Sequence, residues 1–225
     1  MKKIYFIFGA SSFVARELIK NFQKKVKVIA FTHKKQFCNN KNIFFINYKK
    51  NSFLKKIDSN IYKLKPICIF ANAISDDKIF IKLSEKSLNK IIEVNQKIPF
   101  IITQKILKKY TFNKPSFIYL SSSRGFIGVK GAAIYSATKN ALEGFARSMA
   151  MEYGNLGANF RVIRLGLCKG GLKDNFIKKK DKKKILDQTC NNKYINVKEL
   201  NNLINFISDD TASNGSSIKC DNGYF

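Results

Sequence analysis

Apolar residues fall along this chain in short unbroken runs, separated by stretches where they recur every third or fourth position. The runs Ile4–Phe8, Val26–Phe31, Ile43–Ile46, Ile67–Phe70, Phe117–Leu120, Phe160–Leu165 and Ser217–Cys220 predict strands. Most are apolar throughout, as strands buried on both faces of a parallel sheet are. Between them, Val14–Phe22, Leu88–Tyr110, Tyr135–Tyr153 and Val197–Ile207 carry apolar residues at helical spacing. The alternation predicts an α/β fold, a doubly wound parallel sheet of about seven strands with helices on both faces. The connection from Phe31 to Ile43 is too short for a full crossover helix, so that unit is trimmed. No repeat, linker or break in composition divides the chain, so residues 1–225 are expected to form one domain.

Composition changes this picture little. The hydrophobic fraction is 45% and the charged fraction 25%, as in ordinary soluble proteins. No apolar run approaches the roughly 20 residues that span a bilayer. The opening MKKIYFIFGA has two lysines and an apolar run, but the run is shorter than a signal-peptide core and enters a turn directly. The cytoplasm, with no membrane partner, is therefore expected. Five cysteines, none in a CxxC pair and with a single histidine in the chain, argue against a disulfide framework and a zinc site.

The net charge of +27 raises nucleic-acid binding as a reading. The excess is nearly all lysine, spread along the chain beside abundant Asn, Ile and Phe, which suggests coding bias. Phosphate readers lean on arginine, of which there are five. The cluster KKKDKKK at 178–184 reads as a solvated helix face.

Two stretches carry chemistry. The first is FGASSFVA at 8–15, a turn between a strand and a helix whose free N–H groups and dipole suit a pyrophosphate. Gly9 makes the turn, Ser11 and Ser12 offer hydroxyls, and Val14 and Ala15 begin the helix. Phe13 stands where such loops need glycine for close approach to phosphates, tolerable only if its ring turns away. The second stretch is YSATK at 135–139. Positions four apart share a helix face, so the Lys139 ammonium is expected near the Tyr135 hydroxyl, lowering its pKa toward that of a general acid/base. The same spacing recurs at Tyr110/Lys114 and Tyr194/Lys198 and is weak alone. Context separates Tyr135: LSSS ends a predicted strand upstream, with Ser122 thirteen residues before the tyrosine.

With these residues in order, the chain resembles the short-chain dehydrogenases/reductases along nearly its whole length. FGASSFVA sits at the family's glycine-rich turn and ANA (71–73) at its Asn-Ala-Gly. EVNQK carries its helix asparagine at Asn95, LSSS its serine, and YSATK its tyrosine and lysine. RLGL (164–167) matches its Pro-Gly turn, and the final 29 residues its last helix, last strand and Asp-Gly-Gly ending. The resemblance implies a Rossmann-type fold and a catalytic quartet of Asn95, Ser122, Tyr135 and Lys139. Tyr135 would protonate a substrate carbonyl as nicotinamide delivers hydride, Lys139 would assist it and bind the nicotinamide ribose, and Ser122 would hold the carbonyl oxygen. Asn95 would hold a water. Pro99, four residues on, has no N–H for the Asn95 carbonyl, which leaves that carbonyl available in a kinked helix.

Cofactor contacts would come from Gly9, Ser11, Ser12, Phe13, Val14, Asn72, Ala73, Gly166 and Leu167, with Tyr135 and Lys139 shared. No acid lies between Glu17 and Asp58, and the second strand runs into Thr32, His33, Lys34 and Lys35. NADPH is therefore expected in preference to NAD. Asn47 replaces an aspartate often found near the adenine. Ile74 replaces a glycine, Leu165 a proline, and the threonine that often follows the last turn has no match in CKGGLKDNF.

The reading reached is an NADPH-dependent carbonyl reductase. The variable segment 167–196, polar and lysine-rich with few large apolar residues beyond Phe176, Ile177, Ile185 and Leu186, suits a polar or anionic substrate. A 3-oxoacyl group on an acidic carrier and a keto-sugar are both candidates. A non-catalytic NADP(H)-binding sensor or scaffold is the alternative, with nucleic-acid binding a third. By resemblance, a homodimer or homotetramer forms through the helices at 88–110 and 135–153, where Ala137, Ala141 and Gly144 permit close packing.

Overall fold

The computed structural model describes residues 2–22, 26–33, 43–45, 54, 64–172, 174 and 179–224. Seven parallel strands form one sheet in the order β3-β2-β1-β4-β5-β6-β7. They are β1 (Lys3–Phe8), β2 (Lys27–Thr32), β3 (Ile43–Phe45), β4 (Lys65–Phe70), β5 (Ser116–Ser122), β6 (Asn159–Leu165) and β7 (Ser217–Cys220). The helices are α1 (Phe13–Phe22), α2 (Glu85–Ile92), α3 (Ile98–Tyr110), α4 (Ser123–Ile127), α5 (Ala133–Tyr153), α6 (Lys179–Leu186) and α7 (Val197–Asp209).

Successive strand side chains point to opposite faces, and here both faces are apolar. Ile4, Phe6 and Phe8 of β1 pack with Ile102 and Ile106 of α3 and Leu142 and Ala146 of α5. Tyr5 and Ile7 pack with Leu18 of α1 and with Leu200 and Ile204 of α7 on the other face. An aromatic ladder crosses four adjacent strands, Phe31–Phe8–Phe70–Tyr119, with ring centroids 4.8, 4.9 and 4.9 Å apart. Such stacked rings add to the free energy of burial and fix the strand register.

The predicted helix at 88–110 is divided. A single π-helical turn, Glu93–Lys97, joins α2 to α3, and the Ile98 N–H reaches back five residues to the Glu93 carbonyl. Pro99 is the reason, because it offers no N–H to the Asn95 carbonyl. Strand order reverses between β1 and β4, whose carboxyl ends therefore diverge and leave a crevice.

Candidate active site

That crevice is a cleft of about 720 Å³, running from Gly9, Phe31 and His33 at one end to Ser122, Tyr135 and Lys139 at the other. Arg16, Lys90, Arg124 and Lys139 line it, with no aspartate or glutamate among the described lining residues.

At the β1 end, Gly9 adopts φ +83°, and a Cβ there would come within 2.6 Å of the Asn72 backbone nitrogen. Only glycine lets β1 and β4 close to this distance with that backbone. The Gly9 and Ala10 N–H groups donate to the Phe31 carbonyl, and Ser12 caps α1 by accepting from the Ala15 N–H at 3.2 Å. The N–H groups of Phe13 and Val14 meet no acceptor among the described residues. They open a ten-residue helix toward the cleft, where an anion can take them.

Phe13 does not turn outward to solvent. Its ring lies against Gly170, where a Cβ would fall 2.8 Å from the ring carbon Cε2. The two departures noted in the sequence, a phenylalanine in the turn and a missing threonine after β6, thus meet in space. One ring fills the room a side chain at position 170 would need.

Ser11 and Val14 line the same end, as do Asn72 and Ala73 after β4 and Gly166 and Leu167 after β6. The Asn72 amide donates to the Val94 carbonyl, while its Oδ1 is buried with no partner among the described residues. A buried acceptor left open costs about 1–3 kcal/mol, so a donor is expected at this point of the cleft. The open N–H donors of α1 and this acceptor together suit the phosphates and polar groups of a nicotinamide dinucleotide. Gly166 is required by the C-terminus: a Cβ there would come within 2.6 Å of the Asp221 Cα. Thr32 closes β2 as a buried residue, and His33 lies on the cleft wall. Lys34, Lys35, Asn47, Phe176 and Ile177 lie outside the described residues.

At the other end, Ser122 ends β5 and caps α4, accepting from the Arg124 N–H at 3.3 Å. Its hydroxyl stands near enough to the Tyr135 hydroxyl to favour the phenolate. Lys139, one turn along α5, donates its ammonium proton to the Leu120 carbonyl at 2.8 Å and stands 5.8 Å from the Tyr135 ring centre. The expected lowering of the Tyr135 pKa is not what this geometry gives. Burial raises it, opposed by the Ser122 hydroxyl and the Arg124 charge, with Asp77 raising it further. Lys139, stripped of water, is itself lowered to about 8. Among the described residues the Arg124 guanidinium, which sequence spacing did not reveal, lies 5.4 Å from the Tyr135 ring centre, slightly nearer than the Lys139 ammonium.

Asn95 sits behind these groups, fully buried in the π turn. Its side chain accepts from the Ile74 N–H at 2.8 Å and donates to the Ile74 carbonyl at 2.9 Å and to Thr138 Oγ1 at 3.2 Å. It thereby ties the loop after β4 to α5. Asp221, near the last residue, accepts from the Ser123 hydroxyl at 2.5 Å and so braces the turn that follows Ser122.

Over residues 49–225 the chain matches the protein family described as enoyl-(acyl carrier protein) reductase. It is 26% identical over 242 residues to the 3-oxoacyl-(acyl-carrier-protein) reductase FabG of Buchnera aphidicola subsp. Schizaphis graminum, covering 100% of this chain and 98% of that protein. It is 26% identical over 186 residues to the FabG of Aquifex aeolicus, covering 80% of this chain and 75% of that protein. Among solved structures it is similar to 4-hydroxyisoleucine dehydrogenase complexed with NADH, with a TM-score of 0.83 and 24% identity, covering 99% and 98% of the two chains. It is similar also to ElxO with NADP bound, with a TM-score of 0.84 and 18% identity, covering 100% and 99%. Strand order, cleft and family match agree along the chain, which belongs to the short-chain dehydrogenase/reductase family of oxidoreductases.

Proposed function

We propose that the protein is an NADPH-dependent carbonyl reductase whose substrate is a 3-oxoacyl group carried as a thioester. The observation that carries this reading is the convergence of Ser122, Tyr135 and Lys139 at the inner end of a cation-lined cleft. When bound, the reduced nicotinamide supplies hydride. Ser122 and Tyr135 hold the carbonyl oxygen with their two hydroxyls, and the Tyr135 proton passes to that oxygen. Arg124 and Lys139 offset the negative charge left on the phenol, and Asn95 keeps the Ile74 loop and α5 in register. Gly9, Ser11, Ser12, Phe13, Val14, Asn72, Ala73, Gly166 and Leu167 hold the cofactor, with Thr32, His33, Lys34 and Asn47 toward its adenosine end.

The absence of any acid from residue 18 to residue 57 supports NADPH over NADH. The thioester is supported by the names of the FabG relatives. A cytoplasmic setting suits a reductase that draws on NADPH, and no helix among the described residues is long and apolar enough to cross a membrane. Homo-oligomer formation through α2, α3 and α5 is supported by the surface position of Ala137 and the partial exposure of Ala141 and Gly144 on α5.

Titration with NADPH and NADH, followed by nicotinamide fluorescence, tests the first step. NADPH should bind at least tenfold more tightly. Reduction of an acetoacetyl thioester should then fall by a factor of about 10² or more in Tyr135→Phe with cofactor affinity retained, the usual scale of a lost general acid. Binding without turnover of any carbonyl would instead favour a sensor or scaffold.

A further inference from the structure

Arg124 is a cation of the cleft, beside the reacting groups, to which the reductase reading assigns no part of the substrate. It is 7% exposed and lines the cavity beside Tyr135. Its backbone is fixed on three sides: the N–H donates to Ser122 Oγ at 3.3 Å, the carbonyl accepts from the Ser136 hydroxyl at 3.1 Å, and the next carbonyl, of Gly125, accepts from the Asn140 amide at 2.8 Å. The side chain is aimed by Asp77, whose Oδ2 accepts from Nη2 at 3.2 Å, and by the face of Tyr135. Of its five N–H donors, only that on Nη2 meets an acceptor among the described residues. A guanidinium held in place with unfilled donors, in a cleft lined by cations, is organised for a planar anion.

Resting on the reductase reading above, we infer that Arg124 determines specificity: it pairs with a carboxylate that the 3-oxoacyl substrate carries two or three bonds beyond the reacting carbonyl. The carbonyl lies on Ser122 and Tyr135, and the guanidinium flanks the same phenol ring, so both groups of one short acyl chain are reached together. A long apolar acyl chain would leave the remaining donors of the guanidinium, beyond the one taken by Asp77, without an acceptor.

Two thioesters of N-acetylcysteamine test this, 3-oxohexanoyl (neutral) and 3-oxoadipyl (ending in a carboxylate). Wild-type protein with NADPH should show kcat/KM at least tenfold higher for 3-oxoadipyl. Arg124→Met should abolish or invert that ratio, and Arg124→Lys should keep part of it, since the charge remains but the fork is lost. Equal kcat/KM for the two thioesters in wild type, or an unchanged ratio in Arg124→Met, overturns the inference while leaving the reductase reading standing. Should neither thioester be reduced, the reductase reading fails for this substrate class. Calorimetric titration of the NADPH-loaded protein with adipate then decides the inference separately. Binding weakened at least tenfold in Arg124→Met supports it; no binding to wild type overturns it. Thermal melts of both variants confirm that they fold.

Discussion

Lys139 illustrates how one buried side chain ties stability to function. Its ammonium is wedged under the Leu120 carbonyl without water, and burial lowers its pKa from 10.5 to about 8. Between these values the unfolded chain binds more protons than the folded one, so stability rises with pH across that window. Below pH 8 the cost of the buried charge is present in full. Replacing the lysine by methionine removes this cost but leaves the Leu120 carbonyl without its donor, about 1–3 kcal/mol in the other direction. Urea unfolding of wild type and Lys139→Met at pH 7, 9 and 10.5 should show wild type gaining on the variant as pH rises, by about 2–3 kcal/mol over the window. A pH-independent difference would mean that burial does not lower the pKa of this lysine. Phe13 and Gly170 make a related point: read singly, each looks like damage to a cofactor loop, and together they are one packing solution.

Among the elements, the seven strands were legible because runs apolar on both faces leave little other choice. Their ends were not. Lys65, Ser116 and Asn159 extend β4, β5 and β6 beyond the apolar runs because a neighbouring strand pairs with them. α4, five residues capped by Ser122, has no apolar period to announce it, and α6 was legible only as the lysine-rich helix face at 178–184. Of the candidate site, Ser122, Tyr135 and Lys139 could be found by spacing, whereas Asp77 and Arg124, 47 residues apart, are brought together only by the fold. The π turn lies between these cases, since Pro99 signals a fault in the helix but not the five-residue turn that resolves it. That turn is held by Asn95, whose side chain serves the Ile74 N–H, the Ile74 carbonyl and Thr138 at once. Asn95→Ala should therefore cost about 3–5 kcal/mol in urea unfolding, more than an ordinary lost hydrogen bond, because buried backbone groups are left open. A loss under 1 kcal/mol would show that the turn does not depend on this side chain.

At the scale of the whole molecule the dominant fact is the charge of +27. Several of the ion pairs, Lys20–Glu17, Lys78–Asp76 and Lys90–Glu93 among them, are exposed and contribute little. Pairs such as Arg164–Glu143, at 2.6 Å, and Arg124–Asp77 are shielded by burial and resist screening. What salt acts on is mainly lysine repulsion at long range, which works against the compact state. The Debye length falls from about 30 Å at 0.01 M to about 10 Å at 0.1 M, a range that spans the protein's own dimensions. The melting temperature of the cofactor-free protein should therefore rise between 10 and 200 mM NaCl, by several degrees. Cofactor binding should respond in the opposite sense, because the cleft is lined by Arg16, Lys90, Arg124 and Lys139 and by no described carboxylate. The dissociation constant for NADPH should increase severalfold over the same range. Melting by fluorimetry and titration by nicotinamide fluorescence, run in the same buffers, separate the two effects. A melting temperature that falls with salt would place exposed ion pairs, rather than the aromatic and aliphatic core, among the forces holding the sheet together. An NADPH affinity indifferent to salt would mean that the cations of the cleft do not face the cofactor's phosphates.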